Sequence, residues 1–141
     1  MNTYPVQKLS EAMGGTLIAG EGAVLVDSGV STDTRSLGHG ALFFALVGEN
    51  FNGHDFLEQA VKAGAAGLVV SHFPEGLDTG RCGVIKVEDT LLALQKLARW
   101  YRGELDVVVV GITGSNGKTT TKALTSSVIG QRYQVHATRG N

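Results

Sequence analysis

The stretch VVVVGITGSNGKTTTKALTSSVI, residues 107–129, restricts this chain more than any other. Four successive valines are stiff at χ1 and favour extended backbone. A run that is apolar at every position, without alternation, fits a central parallel strand covered on both faces. It enters a loop of small residues that leaves through Lys118 and three threonines into a helix-like segment. Such a junction suits phosphate, because backbone N–H groups and the positive end of a helix converge there. Residues 107–112 are therefore expected to form a buried parallel strand, with a helix starting near Lys118.

The residue types in the loop divide the work. Gly114 and Gly117 let the backbone turn tightly and approach an oxygen with no Cβ in the way. Lys118 offers a mobile cation to terminal phosphates, and the Thr119 hydroxyl is placed for Mg²⁺. The general pattern G-x-x-x-x-G-K-[ST] asks for glycine at position 112, where this chain has Ile112. The competing reading is a glycine-rich strand-to-helix turn with a solvent-facing lysine.

Upstream, helical and extended periods alternate, which signals an α/β fold. VQKLSEAM puts Val6, Leu9 and Met13 on one helical face before Gly14 and Gly15 end the run. TLIA, AVLV, GVSTDTR and ALFFALVG then read as extended pieces between glycine-containing turns. After GENFNGHDF the period changes. Phe56, Ala60, Ala63 and Gly64 share a face, and Asp55 with Glu58 has capping-box spacing, which predicts a helix over 55–64. LVVS and GVIKV read as strands. Thr90 is the expected N-cap of a helix whose stripe is Leu91, Leu94, Ala98 and Tyr101, flanked by Leu97 and Trp100. The expected domain boundary lies near residue 88, within a window of 80–106.

Composition closes off several function classes. Twelve basic residues against thirteen acidic ones leave no global field to draw in nucleic acid or an anionic membrane. A single cysteine, Cys82, excludes an internal disulfide and fits a reducing compartment. The opening MNTYPVQKLSEAMGG has no basic segment followed by an apolar one, and no apolar run nears the length of a membrane span. A cytoplasmic location without membrane insertion is expected. His39, His72 and His136 show no ligand spacing, so no histidine metal site is assigned.

GITGSNGKTTT resembles the ATP-binding loop of the Mur ligases, cytoplasmic enzymes that build the peptide of bacterial peptidoglycan. Their loop reads T-G-[ST]-N-G-K-[ST] and tolerates the missing first glycine, which accounts for Ile112. Folate and cyanophycin ligases share it, so the loop alone implies an ATP-dependent amide ligase and no substrate. The upstream segment STDTRSLGHGALFFALVGENFNGHDFLEQAVKAGAAGLVV looks like the uridine-diphosphate-binding domain of Mur ligases that add the later peptide residues. GHDF and the final TRGN resemble the D-alanyl-D-alanine-adding branch.

The resemblance implies a small N-terminal uridine-binding α/β domain, residues 1–88. The first strand, loop and helix of a P-loop ATPase domain with a parallel sheet would follow at 89–141, cut short within that domain. Gly114, Ser115, Asn116, Gly117 and Lys118 would hold the phosphates of ATP, Thr119 would hold Mg²⁺, and Thr120 would assist. Ser31, Thr34, Arg35, Asn50, His54 and Asp55 would contact the uridine nucleotide. Their chemistry agrees, since Arg35 carries a fork for phosphate, and Thr34 and Asn50 can pair with uracil edges or ribose hydroxyls. The rival readings are Asp33 satisfying turn amides and Arg35 as an ordinary surface cation.

The implied substrates are UDP-N-acetylmuramoyl-tripeptide and D-alanyl-D-alanine, joined with ATP and Mg²⁺ through an acyl phosphate by a monomeric enzyme. The chain itself is expected to be an N-terminal fragment without turnover, and Lys118 is its candidate catalytic residue. Two alternatives stay open: the neighbouring ligase that adds the third peptide residue, and a non-catalytic nucleotide-binding module.

Overall fold

Val6, Leu9 and Met13 are buried along one side of helix α1 (Val6–Met13), and Gly14, at φ 70°, ends it in the left-handed conformation with its N–H on Glu11 O. Glycine takes that conformation without a Cβ penalty. The computed structural model describes residues 2–138, and the chain divides into two compact units, Met1–Leu105 and Asp106–Asn141.

In the first unit, β1 (Tyr4–Pro5) precedes α1, and β2 (Thr16–Ala19), β3 (Leu25–Val26), β4 (Val30–Ser31) and β5 (Leu42–Phe44) follow it. β6 (Val47–Gly48) and β7 (Phe51–Asn52) form an antiparallel hairpin. A 3₁₀ turn (Gly53–Phe56) then runs into α2 (Leu57–Lys62), followed by β8 (Gly67–Val70), β9 (Gly83–Lys86) and α3 (Thr90–Gly103). β1 pairs with β3. The main sheet has five strands in the order β2-β9-β8-β5-β4. β4, β5, β8 and β9 are parallel, and β2 lies antiparallel to β9 at one edge.

Alternation along the strands builds two cores. Leu42, Phe44, Val69 and Ile85 pack with α1 and α3 on one face. Phe43, Leu68, Val70 and Val84 pack with α2 on the other. Successive strand side chains point to opposite faces, so one short apolar run serves both layers. That is why LFF and LVV are apolar throughout.

Three local expectations are corrected. The helix read over 55–64 is the 3₁₀ turn plus α2, and its capping box at Asp55 and Glu58 is not formed. Asn52, still extended, caps the turn by accepting from His54 N–H at 3.1 Å, while Glu58 pairs with Lys62. The chain reaches a cap-competent side chain before it reaches Asp55. Gly53 permits this turn, since a Cβ there would lie 2.7 Å from Ala45 Cα.

The N-cap of α3 is Asp89, whose carboxylate accepts from Leu92 N–H at 2.9 Å, and not Thr90. Thr90 is the first helical residue. It is buried, with Oγ1 donating to Ala45 O at 3.0 Å. That bond fixes the rotation of the helix, so Thr90, Ala93 and Leu97 face inward and Leu91 is 53% exposed. The expected stripe is met in part: Leu97 is buried and Leu94, Trp100 and Tyr101 pack against the same core, while Leu91 and Ala98 face out. Trp100 and Tyr101 stand edge-on to Tyr4, with centroids 5.0 and 6.4 Å away. Because α3 packs on α1 and its aromatic end on Tyr4, the first unit runs to Leu105, later than residue 88 and inside the 80–106 window.

In the second unit α4 (Lys118–Ile129) starts where expected. The expected parallel strand over 107–112 is absent, and no strand occurs among the described residues of this unit. Val107 to Val110 are 53%, 93%, 61% and 60% exposed. A strand is held by ladder bonds to neighbours, and residues 106–138 bring none. The parallel sheet expected of a P-loop domain is accordingly not built within this unit. The TRGN ending, from Arg139 onward, lies outside the described residues.

Candidate functional site

β4, β5 and β8 run parallel, so the segments that leave them meet at one edge of the sheet. In open α/β sheets ligands bind in the crevice outside those carboxyl ends. Ser31 ends β4, and the 31–35 loop is tied by its own side chains. Ser31 Oγ donates to Asp33 O at 2.9 Å and accepts from Asp33 N–H at 3.2 Å. Asp33 Oδ1 accepts from Arg35 N–H at 2.9 Å. The Arg35 guanidinium grips the same carboxylate in a fork, Nε to Oδ1 at 2.9 Å and Nη2 to Oδ2 at 2.6 Å. Hydrogen bonding from Arg35 holds the Asp33 carboxyl down at about 2. Asp33 thus satisfies a turn amide and also aims Arg35, whose side chain is 88% exposed.

Thr34 Oγ1 donates to Gln59 Oε1 at 3.3 Å, linking this loop to α2. The 3₁₀ turn carrying His54 and Asp55 leads directly into α2. Asn50 lies exposed in the two-residue tip of the β6–β7 hairpin, just before that turn. Ser31 at the end of β4, and the other five candidate uridine residues on segments that follow β4 or β5, therefore lie at one edge of the sheet and around the start of α2.

His54 differs from the other five. It is 7% exposed, and both ring nitrogens are used within the protein. Ser71 N–H donates to Nε2 at 3.0 Å. Nε2 is therefore the unprotonated nitrogen, and Nδ1–H donates to Asn52 Oδ1 at 2.8 Å. Its ring stacks on His72 with centroids 3.8 Å apart. Burial first, and the neighbouring His72 second, lower its pKa from the ordinary value, while Asp55 opposes them. Sequence reading missed Asn52 and Ser71. An asparagine two residues before a histidine is a local signal, but Ser71 is 17 residues away and left none.

In the second unit Gly117 is the N-cap of α4 at φ 76°, and Gly114 has φ 148°. Gly117 O accepts from Thr121 N–H at 2.9 Å, closing the first helical turn. Lys118 Nζ donates to Gly114 O at 2.7 Å, so the amine lies across Ser115, Asn116 and Gly117. Thr119 and Thr120 follow in the first turn, both exposed. Among the described residues no cluster of three or more His, Cys, Asp or Glu side chains is gathered to hold a metal, and no helix is long and apolar enough to cross a membrane.

The first unit is thus a three-layer α/β fold whose loops gather at the carboxyl edge of its parallel strands, and the second unit holds a glycine-lysine-threonine helix start. A family model described as "Mur ligase family, catalytic domain" matches residues 28–102, more than half of the chain. The chain belongs to the Mur ligase family. It is 46% identical over 140 residues to the UDP-N-acetylmuramoyl-tripeptide--D-alanyl-D-alanine ligase of Bacillus subtilis, covering 96% of this chain and 30% of that protein. MurF from Acinetobacter baumannii superposes with a TM-score of 0.84 at 30% identity, over 100% of this chain and 30% of that one. MurF ligase from Thermotoga maritima, solved in complex with ADP, superposes with a TM-score of 0.70 at 34% identity, over 79% and 25% of the two chains. The chain thus spans 25–30% of the length of these relatives.

Proposed function

We propose that this chain is the nucleotide-substrate and ATP-loop portion of an ATP-dependent ligase that joins D-alanyl-D-alanine to UDP-N-acetylmuramoyl-tripeptide. The carrying observation is the 46% identity to a ligase of that name over almost the whole chain. The site geometry supports it. In the first unit, Arg35 presents a guanidinium beyond its fork to Asp33, and Thr34 and Asn50 offer polar groups suited to uracil or ribose. Ser31 shapes the loop of Thr34 and Arg35, and Asp55 is exposed on the turn before α2. In the second unit, the amides of Gly114 to Gly117 and the Lys118 amine take the phosphates of ATP.

The reaction these groups serve follows from carboxylate chemistry. A carboxylate resists attack by an amine, so its oxygen first takes the γ-phosphoryl group of ATP, releasing ADP and leaving an acyl phosphate. The dipeptide amine then attacks the acyl carbon, forms the amide and expels phosphate. Lys118, now bonded to Gly114 O, swings to the transferring group and offsets its charge, which is the main task at a phosphoryl-transfer site. The Thr119 hydroxyl would hold a Mg²⁺, and that ion would supply further charge compensation. A cytoplasmic, monomeric enzyme completes the reading.

The test is binding. UDP-N-acetylmuramoyl-tripeptide should raise the unfolding temperature of the chain, and UDP-N-acetylglucosamine, which lacks the lactyl peptide, should raise it less. Equal shifts would leave a general uridine-nucleotide module in place of a ligase substrate site.

A further inference from the structure

Asn52 belongs to β7, Ser71 follows β8, and His54 joins them with opposite sides of one ring. Nδ1–H holds Asn52 Oδ1 at 2.8 Å, and Nε2 receives Ser71 N–H at 3.0 Å. Asn52 Oδ1 also receives His54 N–H, and Gly53 N–H reaches back to Leu46 O at 2.7 Å. The base of the hairpin that carries Asn50 is therefore tied through one imidazole to the main sheet. We propose that His54 is a positioning residue: its neutral Nδ1–H tautomer latches the β6–β7 hairpin to the end of β8 and so presents Asn50 to the ligand. The ligand half of this proposal rests on the uridine reading above. The latch half does not.

Only one protonation state can make the latch. A second proton would sit on Nε2 and point at the Ser71 N–H, setting donor against donor in a buried place. The groups facing the ring are His72, stacked on it from the end of β8, and Asp55 on its own turn. Ser71 Oγ lies 3.2 Å from His54 Nε2 and 3.4 Å from His72 Nδ1, within reach of both rings. The folded-state pKa of His54 lies below the ordinary 6.5, burial being the largest cause and His72 the next. The folded chain then binds fewer protons than the unfolded chain below that value. The latch's contribution to stability is complete above about pH 6.5 and is lost as pH falls through the folded-state pKa.

Two variants separate the latch from simple space-filling. His54→Gln places an amide oxygen near the position of Nε2 and does not titrate. His54→Asn reaches only to the position of Nδ1, so it keeps the Asn52 contact and abandons Ser71. With the full 141-residue chain, hydrogen exchange of the Ser71 amide should show protection at pH 7.5 in the unmutated protein and in His54→Gln, and loss of protection in His54→Asn. Between pH 7.5 and 5.5 the unmutated protein should lose more unfolding temperature than His54→Gln. Affinity for UDP-N-acetylmuramoyl-tripeptide should fall about fivefold in His54→Asn, the equivalent of one net hydrogen bond, and be rescued by His54→Gln. Equal Ser71 protection in all three proteins overturns the latch. Equal affinity in all three, with the latch confirmed by exchange, overturns its role in presenting Asn50. No binding by the unmutated chain overturns the uridine reading and the ligand half with it, while the exchange result still decides the latch.

Discussion

Arg35→Ala offers a clean test of the uridine site, because the side chain is 88% exposed and its partner is the equally local Asp33. Removing it takes nothing from either core, so the unliganded protein should unfold as before. At a hundredfold excess over its dissociation constant, a ligand that binds only the folded state stabilises it by about 2.7 kcal/mol. A charge-assisted hydrogen bond to phosphate is worth roughly 1.5–3 kcal/mol, so its loss should weaken binding about 10- to 150-fold. At the same ligand concentration the stabilisation then falls to about 1.4 kcal/mol at the mild end and about 0.3 kcal/mol at the severe end. The shift in unfolding temperature with UDP-N-acetylmuramoyl-tripeptide should therefore be halved or smaller. Trp100, packed edge-on against Tyr4 in the first unit, gives a fluorescence reporter of that unit's unfolding. Lys118→Ala, in the second unit, should leave the shift intact. An undiminished shift in Arg35→Ala would refute the phosphate contact, and equal loss in both variants would refute two separable sites.

Other consequences are open to direct measurement. Asp89→Ala should lower stability in urea by about 1 kcal/mol through loss of the α3 cap, and Thr90→Val by about 1–3 kcal/mol, since it strips the hydroxyl from a buried carbonyl. Burial pushes the Cys82 thiol up to about 11, so a thiol reagent at pH 8 should label the native chain far more slowly than the urea-unfolded one. The 141-residue chain, which spans 30% of the Bacillus subtilis ligase it resembles, should release no ADP in response to D-alanyl-D-alanine in a coupled assay.

Much of the first unit was legible because its signals are local. Helix α1 shows its face in Val6, Leu9 and Met13 and its end in Gly14. β8 and β9 are short apolar runs between turn residues, and both lie within one residue of where periodicity put them. Misreadings began where a distant group decided the outcome. At α3 the cap fell to Asp89, because the Thr90 hydroxyl found the carbonyl of Ala45, 45 residues earlier. Of the candidate site, GVSTDTR reads as an extended piece, yet only Val30 and Ser31 are strand, while the rival reading of Asp33 as a satisfier of turn amides holds, since aspartate side chains close turns on their own backbone. His54 reads from the resemblance as a uridine contact, and the structure adds that its ring nitrogens are engaged by Asn52 and Ser71. No pattern within GHDF announces a partner beyond the next strand.

The two valine-rich segments of this chain make the same point about the phosphate loop. Leu68 to Val70 in β8 have β5 on one side, β9 on the other and a core on each face, and all three side chains are fully buried. Val107 to Val110 have a stronger extended preference and are 53–93% exposed. Composition states what a segment can become, and neighbouring strands decide whether it does. The helix side of the loop escapes this dependence. Gly117 at φ 76° and the bond from Thr121 N–H to its carbonyl are made within four residues, so α4 begins at Lys118 with no strand among the described residues of its own unit to support it. Each of the four valines would gain roughly 1.5–3 kcal/mol on full burial. A sheet that accepts residues 107–112 would therefore be strongly favoured, and by ordering the strand that enters the loop it would fix where Gly114 stands relative to Lys118.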